Sequence, residues 1–136
     1  MRRPVVLALL PLALFAATAA ADEGDIGYPS VDAARKALTA RDDVRFSSAE
    51  GWLTVEDAQA MTIWNFAPES DPAHPAVVKR SVVEEDGRIV LRMDIRCEGN
   101  AEACDALEAH FLSLNQAAVE EMRGGSQDQA DPDAHP

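Results

Sequence analysis

The stretch that decides the fold runs from residue 76 to residue 97 and reads AVVKRSVVEEDGRIVLRMDIRC. Apolar and polar residues alternate on both sides of Asp86-Gly87, and a period of two is typical of half-buried strands. Asp-Gly between two such runs is typical of a two-residue hairpin turn with positive φ angles. The sequence therefore predicts an antiparallel hairpin of two long strands, Ala76–Glu85 and Arg88–Cys97.

The register of this hairpin follows from the turn. Pairing Glu85 with Arg88 also places Lys79 opposite Asp94, and opposite charges across a strand pair are stabilising. A three-residue loop would instead set two arginines against each other. The favoured register puts on one face the residues that we expect to line the core: Ile89, Leu91, Met93, Ile95 and Cys97.

Arg80 falls on this same face, opposite Met93, where a guanidinium needs an explanation. One interpretation is an edge residue with a packed stem and a head in water. The other is a partly buried cation that holds an anion or a carboxylate of a partner. The sequence leaves both interpretations open.

Two helices flank the predicted sheet. Ser30 is a suitable cap for a first helix, which we expect to end near Arg41. Asn100 can cap a final helix over residues 101–123, which Gly124 and Gly125 are expected to end. The apolar positions of the final helix step by three or four and predict a core-facing stripe: Cys104, Leu107, Phe111, Leu114, Ala118 and Met122.

Three further strands are predicted between the first helix and the hairpin, near Val44–Ser48, Trp52–Glu56 and Met61–Phe66. Residues 22–28 are polar and contain Gly, and we expect them to lead loosely into the domain. The predicted fold class is α+β. It consists of an antiparallel sheet of four to five strands, with an N-terminal helix and a long C-terminal helix packed on one face.

The first 21 residues have the pattern of a signal peptide. Arg2 and Arg3 precede an apolar run and an Ala-x-Ala site, which predicts cleavage before Asp22. We expect a periplasmic location, with the extracellular space as the alternative. In either compartment Cys97 and Cys104 are expected to form a disulfide rather than a metal site. The predicted organisation is a signal peptide over 1–21, a single α+β domain over 22–123 and a disordered acidic tail over 124–136.

The chain is acidic, with 24 Asp and Glu against 12 Lys and Arg and a net charge of −12. Removal of Arg2 and Arg3 with the signal peptide makes the net charge −14. Nucleic acid is not expected as a partner, because phosphate binding requires clustered Lys and Arg. The charge favours a basic protein partner, and no stable membrane insertion is expected after cleavage. The composition does not fix the oligomeric state.

No motif of a serine hydrolase, a phosphate-binding loop or a zinc protease is present, and we expect neither a metal nor a cofactor. The weak candidate for acid–base catalysis is His74, three residues after Asp71 in a loop with two prolines. The same loop is more simply a stiff connector between strands, since proline restricts the backbone around it. A small hydrolase or isomerase that uses His74 and Asp71 is the alternative function.

The leading hypothesis is a non-enzymatic binding protein, of which an inhibitor or immunity protein is a special case. Trp64 and Phe66 belong to a strand that is either central and buried or exposed as an apolar surface. An exposed Trp64 would mark a binding face. The residues assigned to binding are Trp64, Phe66, His74, Lys79 and Arg80.

Two stretches, Thr62–Pro68 and His74–Arg80, resemble a group of small exported proteobacterial proteins when they are taken together with the cysteine pair. Members share a Tyr-Pro-Ser helix start, found here at Tyr28–Ser30, and an ending similar to Leu114–Gln116. The resemblance covers about residues 28 to 122. It implies an exported single domain with these boundaries, and it implies no activity.

Overall fold

The computed structural model describes residues 25–128 of the 136-residue chain, with side chains described as far as residue 125. The predicted signal peptide and most of the predicted tail lie outside these residues. The elements occur in the order α1 (Val31–Thr39), β1 (Arg45–Ala49), β2 (Trp52–Asp57), β3 (Thr62–Phe66), β4 (Ala76–Glu85), β5 (Arg88–Cys97) and α2 (Ala101–Asp128).

The five strands form one antiparallel sheet in the order β1-β2-β3-β4-β5, so each strand pairs with its neighbour in the sequence. This confirms the predicted α+β class, with a short N-terminal helix and a long C-terminal helix. Two tight turns support the arrangement. Glu50 and Gly51 have φ angles of 51° and 84°, and Asp86 and Gly87 have φ angles of 52° and 74°. Positive values of this kind match the twist of two-residue hairpins.

The hairpin of β4 and β5 has the predicted limits and the predicted register. Glu85 pairs with Arg88, and Lys79 pairs with Asp94. Both strands are ten residues long, whereas β3 has only five residues and pairs with the proximal half of β4. The half of the hairpin next to the Asp86–Gly87 turn, called the distal half from here on, therefore extends beyond the rest of the sheet.

The two helices pack on opposite faces of the sheet, which corrects the prediction that they share one face. α1 packs against a cluster that contains Val77, and α2 packs against a cluster that contains Val78. Consecutive strand residues point to opposite faces, so these two valines assign the helices to different sides. The helix residues buried in the two clusters are Val31, Ala34 and Leu38 of α1, and Leu107 and Phe111 of α2.

α1 begins at its predicted cap. Ser30 Oγ accepts a hydrogen bond from Ala33 N at 3.0 Å, and a carboxylate oxygen of Glu98 accepts one from Val31 N at 3.2 Å. These acceptors satisfy amide groups that have no partner within the helix. Glu98 follows β5 directly, so the cap also joins the start of α1 to the end of the hairpin.

α2 also begins at its predicted cap, because Asn100 Oδ1 accepts a hydrogen bond from Ala103 N at 2.8 Å. Cys97 and Cys104 form the predicted disulfide, with their Cα atoms 5.8 Å apart. This bond joins the end of β5 to the first turn of α2. It therefore fixes the position at which the chain leaves the sheet and reverses direction.

The predicted end of α2 is wrong, since the helix continues through Gly124 and Gly125 to Asp128. A glycine lowers helix stability by only about 1 kcal/mol relative to alanine, so two glycines weaken this part of the helix without ending it. A glycine that ends a helix usually has a positive φ angle, and neither of these does.

A buried carboxylate joins the end of α1 to the turn between β2 and β3. Asp57, 6% exposed, accepts a hydrogen bond from Ala60 N at 3.1 Å and pairs with the Arg41 guanidinium at 2.8 Å. Arg41 also donates two hydrogen bonds to Asp43. The Ala60 amide, and after it the Arg41 guanidinium, holds the pKa of the Asp57 carboxyl below its ordinary value.

We expect the stability contributed by Asp57 to depend on pH. A carboxyl with a lowered pKa stabilises the fold above the unfolded value of about 3.9, and this contribution is lost as the pH falls through the lower folded value. Asp57→Asn should therefore lower the urea unfolding midpoint at neutral pH, and its difference from wild type should shrink below about pH 4. An equal deficit at neutral and acid pH would contradict this. Asp42→Asn, at an exposed position, should leave the neutral-pH midpoint unchanged.

Gly99 is expected to be required for stability. A Cβ atom at this position would lie 2.5 Å from the backbone oxygen of Ala73, in the loop that precedes β4. Gly99→Ala should destabilise the protein by about 1–3 kcal/mol, because backbone must shift to admit the methyl group. Urea denaturation measures this. Gly124→Ala is the matched control, since nothing lies within 4 Å of the added atom, and it should be neutral or stabilise α2 by up to about 1 kcal/mol.

Candidate functional site

Two of the residues assigned to binding from the sequence lie in the core. Trp64 and Phe66 pack in the cluster beneath α1, where they are 5% and 1% exposed. Trp64 contacts Tyr28 edge-on, with ring centroids 5.7 Å apart. This burial removes both side chains from any surface that a partner could reach. The central-strand interpretation is therefore confirmed, and the exposed-surface interpretation is wrong.

Lys79 lies on the same face of the sheet and is partly exposed. Its Nζ atom is 5.1 Å from the centroid of the Trp64 ring. An ammonium group over an aromatic face is attracted by the ring quadrupole, and the stem of the side chain covers the indole. Lys79 thus helps to close the core over Trp64.

The loop that contains His74 and Asp71 is held together by its own backbone. Asp71 Oδ1 accepts a hydrogen bond from Ala73 N at 2.8 Å, and His74 N donates to the Asp71 carbonyl oxygen at 3.0 Å, just before a cis peptide bond to Pro75. In the described part of the chain, no hydrogen bond or ion pair joins the His74 imidazole to the Asp71 carboxylate. The loop does not assemble the acid–base pair that the alternative enzyme hypothesis needs.

Arg80 lies on the α2 face, opposite Met93, as the register predicts. Its Nη2 donates to Asn65 Oδ1 at 2.9 Å, and its guanidinium carbon lies 5.3 Å from the centroid of the Phe111 ring. Nε is buried without an acceptor, and no carboxylate among residues 25–125 forms an ion pair with this side chain. Burial without a compensating negative charge lowers the pKa of Arg80.

Asn65 is held from both sides by side chains of neighbouring strands. Its Oδ1 accepts from Arg80, and its Nδ2 donates to Thr54 Oγ1 at 3.0 Å. The three polar side chains form a row across β2, β3 and β4. α2 covers this part of the sheet incompletely, because Ile63, which pairs with Arg80 across the strands, is 37% exposed.

A second candidate site lies between the distal half of the hairpin and the C-terminal half of α2. This hairpin–helix groove consists of two adjoining cavities of about 470 Å³ each. Leu91, Val119 and Arg123 line both cavities. The other apolar side chains that line the groove include Val82, Ile89, Met93, Leu112 and Met122.

The groove contains apolar residues that the sequence pattern assigns to the core. Ile89 and Met122 belong to the predicted core stripes of β5 and α2, yet they are 69% and 58% exposed. Leu114 of the same α2 stripe is 43% exposed. The helix instead turns Asn115 towards the sheet, where it is 8% exposed and its Nδ2 lies 3.4 Å from Met93 Sδ.

The physical reason for this correction is the length of the hairpin. Its strands are twice as long as β3, so their distal halves form a two-stranded ribbon, beside which the described residues place no third strand. The apolar pattern continues along both the ribbon and α2 beyond the point where they pack against each other. The mismatch in predicted strand lengths was a signal in the sequence that could have located the groove.

No group of three or more His, Cys, Asp or Glu side chains in the described residues is placed to bind a metal ion. Of the two described helices, neither combines the length and the apolar character that crossing a bilayer would require. Comparison of the chain with protein-family models, with curated proteins and with solved structures finds no match. The candidate functional sites are therefore the row of Thr54, Asn65 and Arg80 and the hairpin–helix groove.

Truncation of Trp64 is expected to act on stability, because the ring lies in the core. Trp64→Ala should lower the free energy of unfolding by about 3–5 kcal/mol, the usual range for a buried aromatic side chain. Denaturant unfolding followed by circular dichroism measures this. Phe46→Ala on β1 removes a ring that is 42% exposed, and its effect should be much smaller. A Trp64→Ala protein as stable as wild type would rule out the core role.

Proposed function

We propose that this chain is an exported, non-enzymatic binding protein that holds an apolar segment of a partner in the hairpin–helix groove. The observation that supports the proposal is a pair of apolar stripes, on β5 and on α2, that line one groove without closing it. Ile89 is 69% exposed and Leu112 is 46% exposed. Large apolar surfaces left open in this way are commonly interaction sites.

The size of the groove suits several side chains of a partner. Each cavity, at about 470 Å³, is within the usual range for ligand sites. Full burial of one exposed side chain such as Ile89 beneath a partner contributes about 1.5–3 kcal/mol.

The charge of α2 favours a basic partner. The helix has six acidic residues and one arginine, Arg123. Glu108 and Glu120 line the groove itself. Acidic side chains at the rim of an apolar site attract Lys and Arg that flank an apolar segment, and they raise the association rate at low salt. The net charge of −12 acts in the same direction.

Export is part of the proposal, with the periplasm as the location. The signal peptide pattern of residues 1–21 supports it, as does the disulfide, because disulfides persist in oxidising compartments. The resemblance to small exported proteobacterial proteins agrees with this. An inhibitor or immunity protein that neutralises a basic toxin would use the same combination of an apolar groove and an acidic rim.

The proposal can be tested with two fluorescent peptides of the same amphipathic pattern, one built from Leu and Lys and the other from Leu and Glu. Titration of each into the chain without residues 1–21 is followed by fluorescence anisotropy. We expect saturable binding of the Lys peptide, weakened by salt, and no saturable binding of the Glu peptide. Equal binding of both peptides, or binding of neither, would overturn the proposal.

Substitutions in the groove localise the binding. Ile89→Asp and Leu112→Asp should each lower the affinity for the Lys peptide by about tenfold or more, because each replaces an apolar contact with a charge that must be desolvated. Phe46→Asp is the matched control, since it changes an exposed apolar residue on β1 away from the groove. If Phe46→Asp lowered the affinity for the Lys peptide as much as Ile89→Asp does, the assignment of the groove as the binding site would be contradicted.

A further inference from the structure

We propose that Arg80 and Asn65 form a binding site for a carboxylate on the α2 face of the sheet. The site lies on β3 and β4, and the hairpin–helix groove begins beside it at Met93, opposite Arg80, and extends from there towards the Asp86–Gly87 turn. Neither Arg80 nor Asn65 lines the groove, so an anion can bind here whether or not the groove holds a partner.

The donors of Arg80 are incompletely used within the protein. One N–H of Nη2 donates to Asn65 Oδ1 at 2.9 Å, and Nε is buried without an acceptor. Nη1 has no acceptor among residues 25–125 and is not among the buried side-chain atoms, so it reaches solvent. An anion arriving from solvent can accept from Nη1 and from the second N–H of Nη2. This end of the guanidinium is a planar fork that matches the two oxygens of a carboxylate.

The guanidinium is held in place before any ligand binds. Asn65 is oriented by its second hydrogen bond, to Thr54 Oγ1 at 3.0 Å, and the Phe111 ring lies against the guanidinium with its centroid 5.3 Å away. A cation fixed in this way loses little side-chain freedom when it binds an anion. The arrangement is therefore a preorganised site and differs from a flexible surface arginine.

A half-buried cation without a counter-ion, such as Arg80, is unfavourable, and a bound anion supplies the missing charge. Among the described residues, other cationic side chains do have carboxylate partners: Lys36, Arg41, Arg45, Arg92 and Arg96. Among residues 25–125, the other cations without a carboxylate partner are either exposed, as Arg35, Arg88 and Arg123 are, or lie over an aromatic ring at the edge of the core, as Lys79 does. Arg80 differs because its guanidinium is half-buried and one of its buried donors has no acceptor.

The net charge of the chain selects among anions. Arginine recognises both carboxylates and phosphates. A chain with a net charge of −12 repels a dianion more strongly than a monoanion. A carboxylate, with a single negative charge, is therefore the favoured ligand. It can come from a small organic acid or from the C-terminus of a peptide.

The test uses the ¹⁵N-labelled chain and observes the Nε–Hε signal of Arg80 by NMR. Sodium acetate, a tripeptide with a free C-terminus and the same tripeptide as its amide are titrated at constant ionic strength. We expect saturable shifts with acetate and with the free tripeptide, and none with the amide. Saturation by the tripeptide at about tenfold lower concentration than acetate would identify a peptide C-terminus as the source, and comparable saturation would identify a small acid.

Exposed Arg88 is the internal control. Shifts at Arg80 that are linear in concentration and equal to those at Arg88 would overturn the proposal, as would the absence of any shift. The test thus separates a site from the general attraction of an arginine for anions.

Two variants separate binding from a structural role, with the backbone amide of residue 65 as the reporter. Arg80→Met should abolish the saturable response and leave the unfolding midpoint unchanged or raised, because a neutral side chain replaces a half-buried charge that has no counter-ion. Asn65→Asp should also abolish it, because the new carboxylate occupies the guanidinium. Arg88→Met should leave the response unchanged. A response that survives in both Arg80→Met and Asn65→Asp would overturn the proposal.

Discussion

The two-residue turn at Asp86 and Gly87 is the constraint on which the rest of the structure depends. Its positive φ angles leave one register for β4 and β5. A shift of one residue would exchange the two faces of a strand. Val77 and Val78 would then change sides, and Arg80 would move from α2 to the α1 face. Both clusters of the core and both candidate sites follow from this turn.

The sequence predicts the features that depend on local chemistry. The hairpin limits, the register, the two helix caps and the disulfide all follow from neighbouring residues, and all are confirmed. The side of the sheet on which each helix lies depends on longer-range geometry. Both faces of β4 carry apolar residues, so its pattern is compatible with a helix on either side. Ile26 is similar: it is 2% exposed in the core, although its polar and Gly-containing surroundings predict a loose segment.

The candidate sites, too, depend on longer-range geometry that the sequence predicts only in part. Sequence alternation correctly places Arg80 beside the apolar face, but only distances to Asn65 and Phe111 show that its guanidinium is held without a counter-ion. The apolar stripes of β5 and α2 are also visible in the sequence. Whether two stripes close against each other depends on how far the helix and the ribbon diverge, which residue types alone do not determine. Trp64 and Phe66, the most conspicuous aromatic candidates, lie in the core.

The cap that Glu98 provides for α1 has a consequence for the order in which the chain can fold. α1 is nine residues long, below the length at which an isolated helix is stable in water. Ile26 and Tyr28 precede it, but its other packing partners, up to Val77, and the capping carboxylate of Glu98 come later in the chain. During synthesis from the N-terminus, α1 therefore stays unfolded until most of the domain has emerged.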